Sequence, residues 1–124
     1  MLLQQNMTPI VMFPRFTTIA GIASFKTAAL NVERYSDGWG TVWRGEILGG
    51  GLTPSFEITM QESEDQQTWF TCGGSAAAAD PGQDEERSLD FSISTRWLRA
   101  KIVLSGDEPV VTCWMVGFLK PRGK

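Results

Sequence analysis

The side chains able to do chemistry in this chain are carboxylates, and most gather in three turn-like stretches: Glu62, Glu64 and Asp65; Asp84, Glu85 and Glu86; Asp107 and Glu108. Paired carboxylates cleave glycosidic bonds when one acts as acid and the other as base or nucleophile across a cleft. Carboxylates in turns are solvated and keep ordinary pKa values, the reverse of what an acid catalyst needs. The chain has no histidine, so the commonest general base and the usual partner of a Ser or Cys nucleophile are missing. The inventory reads as non-enzymatic. Asp80, Asp84 and Glu85 share one segment and offer the oxygen ligands calcium takes. Their spacing matches no EF-hand, and a solvated acidic loop is the expectation. Cys72 and Cys113 lie far apart with no second cysteine near either, which argues against zinc and for buried free thiols. Gly49-Gly50-Gly51 lacks the Lys-Ser/Thr of a phosphate loop and reads as a flexible turn. No cofactor and no metal are expected.

Five tryptophans are the other conspicuous resource. Trp39 and Trp43 share a parity with Ile47, and Trp114 lies in the most apolar run, so these three are expected in the core. Trp97 alternates with Leu98, Ala100 and Ile102 and shares its side with Arg99 and Lys101. An outward Trp beside an Arg suits a subunit interface, where both residue types are enriched. It also suits a stacking platform for a sugar, or plain cover for the edge of a sheet. The stretch Gln61 to Cys72, QESEDQQTWFTC, poses a similar choice. It is either a ligand loop presenting Trp69 or a hairpin turn folding Trp69 back over the sheet.

The elements that position these residues read as strands. Leu30 and Val32 alternate with polar residues up to a turn expected at Ser36-Asp37-Gly38. A strand follows through Trp39, Thr41 and Trp43. Phe56, Ile58 and Met60 alternate with Glu57, Thr59 and Gln61 as in a half-buried strand. Residues 63–67 are turn material, so this strand and Trp69 to Cys72 form a hairpin. The segment from Gly73 to Glu86, GGSAAAADPGQDEE, is expected to be a long surface loop. Leu89, Phe91 and Ile93 mark one further strand, and Leu98, Ala100, Ile102 and Leu104 another. A turn at Ser105 to Pro109 leads into VVTCWMVGFL, apolar on both parities as in a strand covered on both faces. Short, regularly punctuated strands without an amphipathic helix predict an all-β, single-domain antiparallel β-sandwich of jelly-roll type over 28–124. Residues 1–27 are expected as an extended N-terminal arm or a first strand. Their aperiodic apolar residues Ile10, Met12, Phe13 and Phe16 are candidates for packing on a neighbouring subunit.

Composition agrees with a single globular domain: 124 residues, 42% hydrophobic, 20% charged. A net charge of −3 gives no basic footprint for nucleic acid, and no run approaches the ~20 apolar residues of a membrane helix. The N-terminal stretch lacks the basic and uninterrupted apolar regions of a secretion signal, so synthesis and folding in a cytoplasm are expected. Acidic residues dominate from Thr53 to Thr95 and basic ones from Arg96 onward, a division that could steer copies of the protein onto each other or onto a partner.

Two motifs carry a resemblance. ESEDQQTW is similar to the E-x-S-x-D-x-x-x-W hairpin of discoidin-like and carbohydrate-binding jelly rolls, and RWLRAKIVL resembles the R-Y-(V/L)-R strand of the same sandwiches. Both, with a last apolar strand ending in GFL, also resemble small β-sandwich virion proteins of tailed bacteriophages. That resemblance implies a non-enzymatic virion structural protein, such as a capsid decoration or cement protein that stabilises the shell by bridging subunits. It implies the major capsid protein or other virion proteins as partners, a homo-oligomer, and no nucleic acid or membrane. Trp97 and Arg99 would then join the N-terminal apolar residues at the interface. The alternatives are a carbohydrate-binding module and a tail or baseplate adaptor.

Overall fold

The computed structural model describes residues 7–21 and 23–123, apart from the side chains of Ser75 and Ala76. The first six residues of the expected arm lie outside them. Among the described residues there is no helix, and eleven strands follow one another. They are β1 (Thr8–Ala20), β2 (Ala23–Lys26), β3 (Leu30–Asn31), β4 (Tyr35–Arg44), β5 (Ser55–Ser63), β6 (Phe70–Thr71), β7 (Gly73–Ala76), β8 (Ala78–Ala79), β9 (Glu85–Ser92), β10 (Trp97–Ser105) and β11 (Val110–Pro121). They form two antiparallel sheets. One has the order β1-β11-β4-β9-β7; the other has β2-β10-β5-β6, with β3 added to β10 and β8 to β5. The protein is an all-β sandwich of one domain, as the alternation predicts.

The alternating rows close the core. Phe56, Ile58 and Met60 of β5 and Leu98, Ala100, Ile102 and Leu104 of β10 point inward from the six-stranded sheet and are buried. Leu89, Phe91, Val111, Cys113 and Met115 meet them from the five-stranded sheet. Each Val, Leu, Ile, Phe or Met among them stabilises the fold by about 1.5–3 kcal/mol on leaving water, before chain entropy is counted.

Residues 8–20 are built into this sandwich as β1, zipped to β11 from Thr8↔Leu119 to Ala20↔Val110. Ile10, Met12 and Phe13 lie in the chain's own core. Their lack of period has a mechanical cause. The register shifts on both sides of Phe13, and bulges of this kind reset which face a side chain takes. Met12 and Phe13 can therefore both face inward. Beyond them Phe16 sits at φ 66°, a strained conformation for a bulky residue, and stands 86% exposed.

Three further expectations change. The turn before β4 falls at Glu33 and Arg34, where Tyr35 N–H bonds to Val32 O at 2.9 Å. Ser36, Asp37 and Gly38 are already strand, and Gly38 serves packing: a Cβ there would lie 2.5 Å from the Phe91 ring. The alanine-rich segment is not one long loop. It supplies edge strands to both sheets, β7 on β9 and β8 on β5, with Ala77 and Ala79 buried. The last strand is covered on one face only, since Phe118 on its outer row is 45% exposed.

Candidate functional site

The hairpin between β5 and β6 is framework, held by the polar residues of its tip. Ser63 Oγ accepts the backbone N–H groups of Asp65 (3.2 Å) and Gln66 (2.8 Å) and donates to Asp65 Oδ1 at 3.1 Å. Asp65 Oδ1 in turn accepts the N–H groups of Gln67 at 2.8 Å and Thr68 at 3.0 Å. The Thr68 and Gln67 amides, helped by Ser63, hold the Asp65 carboxyl below its usual range. The Trp69 indole donates to Gln66 O at 3.2 Å, and the Arg99 guanidinium lies 4.0 Å from its ring centroid. Arg99 Nε also donates to Gln61 Oε1 at 2.8 Å. Ser63, Asp65 and Trp69 of ESEDQQTW thus each have a local structural duty.

Glu62 departs most from the expectation of solvated turn carboxylates. It is buried, and its carboxylate accepts four hydrogen bonds at 2.8–3.2 Å from the backbone N–H and hydroxyl groups of Ser94 and Thr95. It ties the β9–β10 connection to β5. Asp80, weighed above as a calcium ligand, is committed elsewhere: it pairs with Arg44 at 2.8 and 3.2 Å and accepts the Gly82 N–H. Burial raises its pKa, but these bonds outweigh that and leave it lowered. Among the described residues no group of three or more His, Cys, Asp or Glu is placed to hold a metal ion. Cys72 and Cys113 are buried and unbridged, their thiols pushed by desolvation to about 12 and about 11, with the Glu62 charge adding to Cys72.

The structure separates the expected interface residues. Trp97 and Arg99 do project outward from β10, half-buried, but Arg99 spends its guanidinium on Trp69 and Gln61. Phe16 lies across the molecule on the outer side of the five-stranded sheet, where the tryptophans expected in the core also lie. Along β4 the inward row is Gly38, Gly40 and Val42, and Trp39, Thr41 and Trp43 face out. On β11, Trp114, Val116 and Phe118 face out.

Cross-strand register sets these side chains in rows. Glu86, Trp43 and Trp114 align across β9, β4 and β11, and the Arg15 guanidinium completes the row, 4.7 Å from the Trp114 centroid. The two indoles are nearly parallel, 12° apart, with centroids 6.5 Å apart. The next row is Ser88, Thr41, Val116 and Val11; then Asp90, Trp39, Phe118 and Pro9; then Ser92, Asp37 and Lys120. Val11 is 61% exposed and Trp39 37%. The result is an aromatic and aliphatic field bordered by carboxylates along β9 and by Arg15 on the β1 side. The first row, with Phe16 and Thr112, lines a shallow cleft of about 360 Å³. An exposed apolar field of this kind is a candidate interaction surface. The sequence carried one usable signal for it, the apolar outer parity of the last strand.

No protein-family model matches the sequence, and no curated protein matches it either. Among solved structures, the chain is similar to the VP2 subviral particle of infectious bursal disease virus, with TM-score 0.63 and 12% identity over 93% of this chain. The Gx strain of the same virus gives TM-score 0.61 and 11% identity over 95%. The chain spans about a third of the length of each of those chains, 32% and 33%. The SPBc2 prophage-derived protein YomS aligns over 90% of this chain and 92% of its own at 15% identity and TM-score 0.48. The two viral likenesses establish a shared sandwich fold.

Proposed function

We propose that this chain is a non-enzymatic structural protein of a virus particle, and specifically a decoration protein that binds across neighbouring subunits of a tailed-phage capsid. The observation that carries the reading is the uncovered aromatic field on the outer face of the five-stranded sheet. A monomer that needed only to fold would gain nothing from exposing Trp39, Phe118, Val11 and Phe16 together. The fold shared with a protein of a viral particle supports the same reading, as do the motifs similar to phage virion sandwiches. Many equivalent copies, each making a modest contact, give such a coat its strength.

The test is co-sedimentation of the purified protein with capsids lacking it, followed by imaging. Saturable binding at symmetry-related seams is expected. Absence of binding, with the protein found on tails, transfers the reading to a tail or baseplate adaptor. A second reading, a carbohydrate-binding module, is favoured by one observation: Trp39 is exposed on the same face in one row with Asp90, an aromatic side chain beside a carboxylate able to bond hydroxyls. It predicts that a glycan quenches tryptophan fluorescence in the wild type and not in Trp39→Ala.

A further inference from the structure

We infer that the outer face of the five-stranded sheet is self-complementary, and that two copies of this chain pair through it about a twofold axis running along the strands. The pairing follows from the register of this face whether or not the chain belongs to a particle, and a paired copy must separate before the same face can seat on a shell. A twofold axis parallel to the strands, midway between β4 and β11, leaves the level along the strands unchanged and exchanges the strand order. β4 of one copy then lies over β11 of the other, and β9 lies over β1. Strands remain aligned, as in sheet-on-sheet packing, at a spacing of about 10 Å.

Each row then meets its own reverse. In the first, Glu86 of one copy faces Arg15 of the other, and Trp43 faces Trp114. In the second, Thr41 faces Val116; in the third, Trp39 faces Phe118; in the fourth, Asp37 faces Lys120. Every contact occurs twice, as an isologous interface requires. Acid meets base in the first and fourth rows, Asp90 of the third meets Pro9 without a base opposite it, and aromatic meets apolar or aromatic at Trp43 and Trp39. The alternative twofold, perpendicular to the strands, sets Asp37 over Trp43 with no cation opposite it, leaves Glu86 facing Ser92, and brings Lys120 over Trp114, whose ring Trp43 and Arg15 already flank. Charge therefore selects one of the two sheet-on-sheet arrangements. Four strands about 4.8 Å apart and four rows about 6.8 Å apart make a face of about 500 Å² per copy. Stable complexes bury about 800 Å² per partner, so the pairing is expected to be concentration-dependent.

Sedimentation velocity of the full chain over a concentration series tests this. A shift from one chain mass to two is expected, with Phe118→Glu abolishing it. Arg15→Glu and Glu86→Arg should each raise the midpoint concentration about tenfold, and the double swap should restore it. If either charge variant fails to fold by circular dichroism, Asp37→Lys with Lys120→Asp makes the same swap in the fourth row. A single chain mass at all concentrations overturns the inference, as does a double swap no better than its single changes. If the chain stays monomeric while Phe118→Glu abolishes capsid binding, the face belongs to the shell, and self-pairing is wrong although the particle assignment stands. If pairing follows the pattern above while capsid binding is absent, the reverse holds.

Discussion

The two outer faces of this sandwich are built from similar residues and used in opposite ways. On the six-stranded sheet, Trp69, Arg99 and Gln61 satisfy one another: the guanidinium lies on the indole and donates to the amide, and the indole donates to the hairpin backbone. On the five-stranded sheet, Trp39, Val11 and Phe118 stand open to water, with carboxylates along one border. An aromatic residue with an Arg nearby is therefore not a binding site by composition alone. What matters is whether the chain itself already occupies its faces and its donors.

The comparison can be broken by substitution. The largest effect should come from beneath both faces. Leu98→Ala removes a fully buried side chain shared by the two layers and is expected to cost about 2–5 kcal/mol in chemical denaturation. Next is Glu62→Ala, which strands the Ser94 and Thr95 amides and should cost about 2–3 kcal/mol. Trp69→Ala uncovers Arg99 and Gln61 and should cost about 1–2 kcal/mol while leaving self-association unchanged. Val11→Ser, on the other face, where Val11 is 61% exposed, should shift stability by no more than about 0.5 kcal/mol yet weaken association. A reversal of the last two results would erase the distinction between the faces.

The smallest effect at ordinary pH concerns the thiols, Cys113 on the five-stranded sheet and Cys72 beside β6. Their folded pKa values are raised above the reference value of 9.0. The stability they contribute is full below that reference and is lost as pH rises toward about 11 for Cys113 and about 12 for Cys72. A disulfide reagent near pH 8 should react slowly with the native protein and in a burst after denaturation. Asp65 has the opposite sign: its contribution is present at neutral pH and declines as acid protonates a carboxyl that is lowered in the fold.

Where residues alternate cleanly, the strands were legible in the sequence. Leu98 to Leu104 and Phe56 to Met60 point where the pattern says. The pattern misled wherever glycine took the inward row. Gly38 and Gly40 leave room for Phe91 and Met115, so the hydrophobic signal of β4 came from its outer row, and Trp39 and Trp43 read as core. It failed again at the bulge around Phe13, where a reset of face hides Ile10, Met12 and Phe13 in an aperiodic run. The duty of Glu62 was invisible because its partners, Ser94 and Thr95, are distant in sequence. The aromatic field needed the registers of β1, β11, β4 and β9 together, and no local spacing encodes that.

The central claim is that the open face of the five-stranded sheet meets partners and the Trp69–Arg99 face serves only the fold. Hydroxyl-radical footprinting at low and high protein concentration, read by mass spectrometry, tests it directly. Oxidation of Trp39, Trp43, Trp114 and Phe118 should fall as the protein associates, with Trp69 and Trp97 unchanged. Protection confined to Trp69 and Trp97 would contradict the account.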